Sequence, residues 1–417
     1  MLANYIKIAW KVLLRNRFFT FVSLFGISLT IGILLVLATL FEQLTGHHYP
    51  EKPSGHSLLV SKINLNDGRG SNYVGNLSYF YVHNYIKKMQ SPKRVGMIAS
   101  GTSLTAFIGD KKLDLRRAIT CEDFWDVMDF SFVEGRPYSA EEVAQNAKVA
   151  VITRATRDAY FGTDVPATGK YLETYNNRFQ VIGVVENISQ SQRYYYGDLF
   201  LPYSEPLASD QGFIGSFLAV VEGESRSDLS KIREEYQALV GRLDTEIKKD
   251  PIFDTYNHMS SHAVSKLEDV SYLFSDNSKS PAVGIVVGLL GGAMFLFMLL
   301  PAVNLVNLNS SRIMERASEI GVRKAFGANV GQLTTQFIIE NILITLIGGA
   351  IGLGVALGVL EIIESTDVIR YAQLGLRFNV FVFAILICLF FGILSGALPA
   401  WRMSKLHIVN ALKGIRS

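Results

Sequence analysis

Three consecutive stretches in the second half of the chain decide the fold: VGIVVGLLGGAMFLFMLLPAVNLVNL (residues 283–308), SSRIMERASEIGVRKAFGAN (310–329) and ILITLIGGAIGLGVALGVL (342–360). The outer two are apolar and long enough to cross a hydrocarbon core of about 30 Å. The middle one carries six charges within 13 residues. Six charges at the bilayer centre would cost roughly 15 kcal/mol, at about 2.5 kcal/mol each. The sequence therefore predicts two membrane spans that enclose a charged segment exposed to water.

Two further apolar runs complete the membrane part of the chain. The composition, 49% hydrophobic and 18% charged over 417 residues, is typical of a membrane protein. The first run is too long for a cleaved signal peptide and no small-residue cleavage site follows it, so we expect an uncleaved anchor. The sequence predicts four transmembrane helices, at residues 18–41, 281–308, 333–360 and 378–400.

Basic residues set the predicted orientation. Residues 1–17 and the tail 401–417 are rich in Lys and Arg and contain no acid, and four of the charges in the loop 309–332 are basic. The short loop 361–377 has only two basic residues, against three acids. The positive-inside rule then places both termini and the loop 309–332 in the cytoplasm. Residues 42–280 and the short loop 361–377 are predicted to be periplasmic.

The first 17 residues have a second predicted property. Apolar side chains recur on one helical stripe of MLANYIKIAWKVLLRNR, and basic side chains lie on the other side. This pattern predicts an amphipathic helix on the cytoplasmic membrane surface. A basic flank that only orients the first span is the compatible alternative.

The external segment, residues 42–280, is predicted to fold as a mixed α/β domain. Strand-like runs alternate with helical patterns: SLLVSKINL, VAVIT, RFQVIGVVE and SFLAVVE for strands, and LSYFYVHNYIKKM, TRATRDAYFG and RSDLSKIREEYQALVGRLDTEIKK for helices. We expect two lobes. The first comprises residues 50–115 and 225–275, and the second comprises residues 120–222 as an insertion.

The third predicted span contains two pairs of glycines spaced by four residues: Gly348 with Gly352, and Gly354 with Gly358. Such spacing lets helix backbones approach closely inside a membrane. Packing within the chain is the favoured interpretation, and a dimer seam is the alternative.

The charged segment has an apolar stripe of its own, formed by Ile313, Ala317 and Ile320. A solvated hairpin between two spans is one interpretation. The other is a docking helix that inserts into a groove of a cytoplasmic partner, which an apolar stripe flanked by charges of both signs favours.

Four stretches then carry a family resemblance. ERASEIGVRKAFGAN (315–329) resembles the signature of the FtsX-like permease family, to which the MacB-type ABC transporter permeases belong. GRPYSAEEVAQNAKVAVITRATRDAYFG (135–162) and GKYLETYNNRFQVIGVVENI (169–188) resemble the MacB-type periplasmic domain. ALPAWRMSKLHIVNALKG (397–414) resembles the C-terminal end of these permeases. The resemblance covers nearly the whole chain and includes the order of one span, an external domain and three spans.

The resemblance implies that the charged loop couples this chain to a cytoplasmic ABC ATP-binding subunit. The residues implied for ATPase coupling are Glu315, Arg316, Glu319, Ile320, Arg323, Lys324 and Gly327. MacB itself carries a fused ATPase domain, whereas this sequence contains no G-x-x-x-x-G-K-[ST] loop. We therefore expect no enzymatic site and no cofactor in this chain, with ATP and Mg bound by the partner.

Several functions are compatible with the resemblance. It implies a dimer with a second permease chain, identical or different, and export of a peptide, toxin or small amphiphile through a periplasmic adaptor and an outer-membrane channel. Lipoprotein release and control of a cell-wall hydrolase are alternatives within the family. A membrane receptor with an external sensing domain is the alternative from another class.

Other candidate sites are weaker. His47, His48 and His56 cluster after the first span, and His258 and His262 are four residues apart, but neither set has the companions that a metal site requires. The two cysteines, Cys121 and Cys388, form no disulfide framework. We expect no metal site, no nucleophile motif and no nucleic-acid partner.

Overall fold

The computed structural model describes residues 17–69, 71–108, 111–175, 177–203, 212–247, 256–272, 282–315, 330–375, 378–383 and 385–387, with a few single or paired residues near either end. Most of the predicted surface helix, residues 316–329 and the tail 401–417 lie outside the described residues. The chain divides into two units, each with a hydrophobic core. One comprises Met1–Glu42, Val287–Thr366 and Leu374–Ser417, and the other comprises Gln43–Val286 and Asp367–Gln373.

Helices occur in both units. They are α1 (Arg17–Thr45), α2 (Tyr79–Asn84), α3 (Asp123–Val127), α4 (Ala140–Ala144), α5 (Arg154–Phe161), α6 (Asp228–Ile247), α7 (Lys266–Ser271), α8 (Val283–Glu315) and α9 (Val330–Ser365), with a 3-10 turn at Ile86–Lys88. Several begin at a side-chain cap. Ser139 and Ser265 form capping boxes with the glutamates three residues later, which satisfies the free N–H groups of the first turn of α4 and of α7.

The strands belong to the second unit. They are β1 (Ser57–Val60), β2 (Ile63–Asn66), β3 (Asn72–Leu77), β4 (Arg94–Ile108), β5 (Lys111–Thr120), β6 (Phe132–Gly135), β7 (Val149–Thr153), β8 (Tyr171–Glu173), β9 (Arg178–Val185), β10 (Leu199–Pro202), β11 (Ile214–Gly215), β12 (Leu218–Glu222) and β13 (His258–Ser261). A nine-stranded sheet has the order β1-β12-β4-β5-β10-β7-β9-β6, with β8 paired to β9. A four-stranded sheet has the order β11-β3-β2-β13.

Burial explains the strand pattern of this domain. All five residues of β7 and all five of β12 are buried, as expected for strands covered on both faces. The main core is rich in aromatic side chains, among them Tyr81, Phe124 and Phe200. A smaller core lies around Ile152 and Leu199. The predicted mixed α/β domain is confirmed, and each of the predicted strand and helix runs contains the expected element.

The two predicted lobes do not appear as separate sheets. β12, which ends the second predicted lobe, pairs with β1 and β4 of the first. The long hairpin of β4 and β5 then joins both predicted lobes into the nine-stranded sheet. Hydrogen bonding between strands that are far apart in the sequence decides the composition of the sheet. The two-lobe division stays a prediction.

The helical unit exposes apolar side chains. Thr20–Thr45 and Ile338–Ser365 are long and apolar enough to cross a membrane, and Val283–Phe297 and Phe378–Ile387 are shorter apolar helical segments among the described residues. Large hydrophobic side chains in these segments, such as Phe21 and Leu296, are 66% and 65% exposed. Exposure on this scale is unusual for helices surrounded by water and fits helices in contact with lipid. The prediction of four spans is compatible with these segments and stays a prediction.

The helices on either side of the charged segment are longer than the predicted spans. α8 continues to Glu315, beyond the expected end at residue 308, and α9 begins at Val330 and continues to Ser365. Their 33 and 36 residues correspond to about 50 Å each. Because the backbone hydrogen bonds of a helix do not depend on the surrounding solvent, a helix need not end where the apolar run ends.

Candidate functional site

The predicted ATPase-coupling residues lie at the end of α8 and beyond it. Glu315 is the last residue of this helix. Arg316, Glu319, Ile320, Arg323, Lys324 and Gly327 fall within residues 316–329, outside the described residues. The docking of this segment on a partner therefore stays a prediction.

The four predicted helix-packing glycines divide into two groups. A methyl group added at Gly348 would lie 2.7 Å from Cγ2 of Ile27, and one added at Gly352 would lie 2.7 Å from the backbone oxygen of Ser28. Both contacts join α9 to α1, where Gly32 in turn lies against the backbone of Gly352. Gly354 and Gly358 have open space within 4 Å among the described residues.

Helix geometry explains the difference. Gly354 follows Gly352 by two residues, which rotates it by about 200° around the helix axis. One pair of glycines therefore faces α1, and the other pair faces away from it. Ile27, Ile31, Leu35, Ile344 and Ala356 form the buried seam beside the first pair. At Gly348 and Gly352, α9 therefore lies close to α1 of the same chain.

A buried ion pair lies at the part of the external domain that follows α1. The ammonium group of Lys266, at the start of α7, is 3.0 Å from the carboxylate of Glu51. It also donates to Oε1 of Gln192 at 2.6 Å and to the backbone oxygen of Gly46 at 3.1 Å. The side chains of Lys266 and Glu51 are only 6% and 5% exposed. One cation thus ties together three stretches that are far apart in the sequence.

Neighbouring contacts extend this cluster. Nδ1 of His47 is 3.1 Å from Glu51. Burial alone raises the pKa of Glu51, but the hydrogen bond to His47 and the charge of Lys266 outweigh it, so the pKa lies below its usual value. On the same helix as Lys266, Asp269 accepts hydrogen bonds from Ser61 at 2.6 Å and from Arg193 at 2.7 Å. We call Glu51, Gln192, Lys266 and Asp269 the base cluster.

We expect Lys266→Met to destabilise the external domain by about 3–5 kcal/mol, because it leaves the carboxylate of Glu51 buried without its main counter-charge. The matched control is Lys231→Met, since Lys231 pairs with Asp228 at 3.3 Å on the surface of α6 and is 69% exposed. Loss of such a surface pair should cost less than about 1 kcal/mol. Denaturant unfolding, followed by the tryptophan fluorescence of the external domain, measures both values.

The pH dependence provides a second check on the base cluster. Because the folded-state pKa of Glu51 is lowered, its contribution to stability is complete above its ordinary pKa and is lost as the pH falls through the lower folded-state value. Lys266→Met should flatten this acid-side loss. A wild-type acid profile in Lys266→Met, or equal destabilisation by both lysine variants, would contradict a structural role for this pair.

The histidines singled out in the sequence take part in local contacts. His47 contacts Glu51, His258 is 3.8 Å from Asp244, and His262 is 3.0 Å from Gln237. Over the part of the chain that the structure describes, no group of three or more His, Cys, Asp or Glu side chains is placed to hold a metal ion. Sequence reasoning missed the base cluster, since a lone lysine at residue 266 gives no local signal of its distant partners.

Two models of known protein families match this chain. Residues 20–239 match the model of the MacB-like periplasmic core domain, and residues 291–408 match that of the FtsX-like permease C-terminal region. The two matches follow the order of the structure. The first covers every strand of the nine-stranded sheet, and the second covers α9 and most of α8.

Relatives that match nearly the whole of this chain come from several bacteria. An uncharacterized ABC transporter permease, YknZ of Bacillus subtilis, is 20% identical, over 98% of both chains. The macrolide export ATP-binding/permease protein MacB of Wolinella succinogenes is 25% identical over 97% of this chain. The pyoverdine export ATP-binding/permease protein PvdT of Pseudomonas entomophila is 23% identical over 98% of this chain. This chain spans 60% and 59% of the latter two proteins.

The two family models together cover the nine-stranded sheet, most of α1 and α8, the whole of α9 and the charged segment. The chain therefore belongs to the family of FtsX-like ABC transporter permeases with a MacB-like periplasmic core domain.

Proposed function

We propose that this chain is the membrane subunit of an ABC transporter that couples ATP hydrolysis in a separate cytoplasmic subunit to conformational work by its periplasmic domain. The observation that carries the proposal is the presence, in one chain, of a MacB-like core domain and an FtsX-like permease region. Membership of this family implies a cytoplasmic ATP-binding partner. The charged segment, residues 310–329, is the proposed docking site.

The membrane topology is part of the proposal. Four spans place residues 1–17, 309–332 and 401–417 in the cytoplasm and residues 42–280 in the periplasm. The apolar outer faces of α1, α8 and α9 support contact with lipid, and the distribution of Lys and Arg supports the orientation. The protein then lies in the cell inner membrane as a multi-pass subunit.

The base cluster supports a mechanical role for the external domain. Glu51 follows α1, and α7, which carries Lys266, is the last described element of the domain before α8. The same ion pair therefore holds the segment that enters the domain and the segment that leaves it. A displacement of α1 or α8 would reach the domain through this rigid, buried point.

The work proposed for the complex is export. Relatives named for macrolide export and for pyoverdine export suggest a small amphiphile as cargo, and a peptide or toxin is the wider class. We propose that two permease chains form the complex, and that a periplasmic adaptor and an outer-membrane channel complete the export path. Lipoprotein release and control of a cell-wall hydrolase are the alternatives within the family.

A pull-down of the tagged chain from native membranes in mild detergent tests the proposal. We expect an ATP-binding subunit with a phosphate-binding loop to co-purify, and the eluate to hydrolyse ATP. An adaptor in the same eluate would support export, whereas a bound lipoprotein or hydrolase would support an alternative. An eluate without an ATP-binding subunit in several detergents would contradict the proposal and favour a membrane receptor.

A further inference from the structure

The chain passes between the two structural units four times, and the last two passages enclose a short loop. Residues 1–42, 287–366 and 374–417 belong to the helical unit, whereas Asp367–Gln373 belongs to the unit that contains the sheets. The loop directly follows α9 and precedes the helical residues that begin at 378. Seven residues between two helices are thus part of the external domain.

Backbone and side-chain contacts hold this loop. The backbone N–H of Gln190, between β9 and β10, donates to the backbone oxygen of Arg370 at 2.9 Å. A tight turn forms within the loop, where Ala372 N–H donates to the oxygen of Ile369 at 3.1 Å. The ring of Tyr371 packs against the main aromatic core of the domain. The loop therefore contributes to the domain through the backbone and through an aromatic side chain.

Charge adds to these contacts. The guanidinium group of Arg370 lies close to Tyr196 and Asp198. Asp198 is buried, and its carboxylate accepts a hydrogen bond from the backbone N–H of Arg116 in β5 at 2.8 Å. Burial raises the pKa of Asp198, and the Arg116 N–H and the charge of Arg370 offset this only in part. The cation of the loop thus faces an acid that is fixed to a central strand of the sheet.

Two residues of the loop have positive φ angles, as an anchored turn can enforce. Tyr371 has a φ of 56° and Asp367 a φ of 49°, in the left-handed region that a bulky aromatic residue rarely occupies. Such a conformation persists where the surrounding contacts enforce it. Val368, in the same loop, is 71% exposed and lies outside these contacts.

We propose that Arg370 and Tyr371 are positioning residues that anchor the loop between α9 and the next helix to the external domain. The anchor gives α9 its own connection to the sheet, in addition to the connections through α1 and α8. A displacement of α9 on the cytoplasmic side then reaches residues 190–198 directly. This second role, the transfer of motion, rests on the function proposed above, whereas the anchoring itself does not.

Hydrogen–deuterium exchange of the full chain with its ATP-binding subunit in lipid nanodiscs tests both parts. Without nucleotide, Tyr371→Ala should accelerate exchange at residues 189–192 about tenfold or more, because the Gln190 N–H loses its stable acceptor. Tyr371→Phe should restore the wild-type rate, and Val368→Ala should leave it unchanged. During ATP turnover, we expect the exchange rate at residues 189–198 of the wild type to change. This change should be smaller in Tyr371→Ala.

The outcomes separate the two claims. A wild-type exchange rate at residues 189–192 in nucleotide-free Tyr371→Ala would overturn the anchor. Accelerated exchange together with an undiminished response to ATP would overturn the positioning role. If exchange in the wild type does not respond to ATP at any part of the external domain, the function proposed above fails, and the positioning role fails with it. The comparison of nucleotide-free proteins still tests whether Tyr371 anchors the loop.

Discussion

Gly352→Leu should destabilise the helical unit by about 3 kcal/mol, at the upper end of the cost of overpacking. The first carbon of the new side chain would lie 2.7 Å from the backbone oxygen of Ser28 and 3.1 Å from Cβ of Ile31. A backbone oxygen cannot rotate away as the end of a flexible side chain can, so α1 and α9 must separate. Unfolding of the purified protein in a graded series of SDS and mild detergent measures the loss.

Gly354→Leu is the matched control for this prediction. It adds the same side chain to the same helix two residues later, where nothing among the described residues lies within 4 Å. We expect it to change the stability of the monomer by less than about 1 kcal/mol. If both variants lose equal stability, the cost comes from the helix itself rather than from its contact with α1. A dimer that dissociates only in Gly354→Leu would indicate that the second glycine pair faces another chain.

Glu319→Lys should weaken association with the ATP-binding subunit tenfold or more while leaving membrane insertion intact. The substitution places a second cation next to Arg323, its neighbour four residues later, and reverses the charge offered to the partner. A tenfold loss corresponds to about 1.4 kcal/mol. Co-purification at matched expression and the ATPase rate of the complex measure the effect.

Glu361→Lys provides the control for that charge reversal. It changes the net charge by the same amount, near the opposite end of α9 and at an exposed position. We expect wild-type association in this variant. Unaltered association and ATPase coupling in Glu319→Lys would argue against docking at the charged segment.

The membrane part and the element types of the domain follow from local patterns. Apolar runs of 19 or more residues predict long helices because one helix can satisfy its own backbone hydrogen bonds. Runs such as VAVIT and RFQVIGVVE predict β7 and β9 because β-branched residues fit a buried sheet. The glycine spacing predicts close packing of α9, and only the structure identifies α1 as the neighbour of Gly348 and Gly352.

The parts that the sequence does not predict depend on contacts between distant residues. The long hairpin of β4 and β5 has no clear alternation of apolar and polar residues, and its pairing in register is visible only in the structure. Lys266 gives no sign in the sequence that it meets Glu51 and Gln192. Likewise, nothing in the sequence around Arg370 and Tyr371 distinguishes this loop from an ordinary connection between two helices, although the structure assigns the loop to the external domain.

The distance between the external domains of two permease chains during the ATP cycle reports directly whether ATP-driven motion reaches them. Tyr175 is 83% exposed, so Tyr175→Cys provides a site for a spin label. Cys121→Ser and Cys388→Ser remove the two native thiols. In a dimer reconstituted with the ATP-binding subunit, this single label reports the distance between the two external domains. We predict that pulsed electron paramagnetic resonance will show a shift in the distance distribution between the nucleotide-free and ATP-trapped states, and that Glu319→Lys will abolish this shift. Identical distributions in both states, in a complex that hydrolyses ATP, would contradict the claim that this chain transmits ATP-driven motion to its external domain.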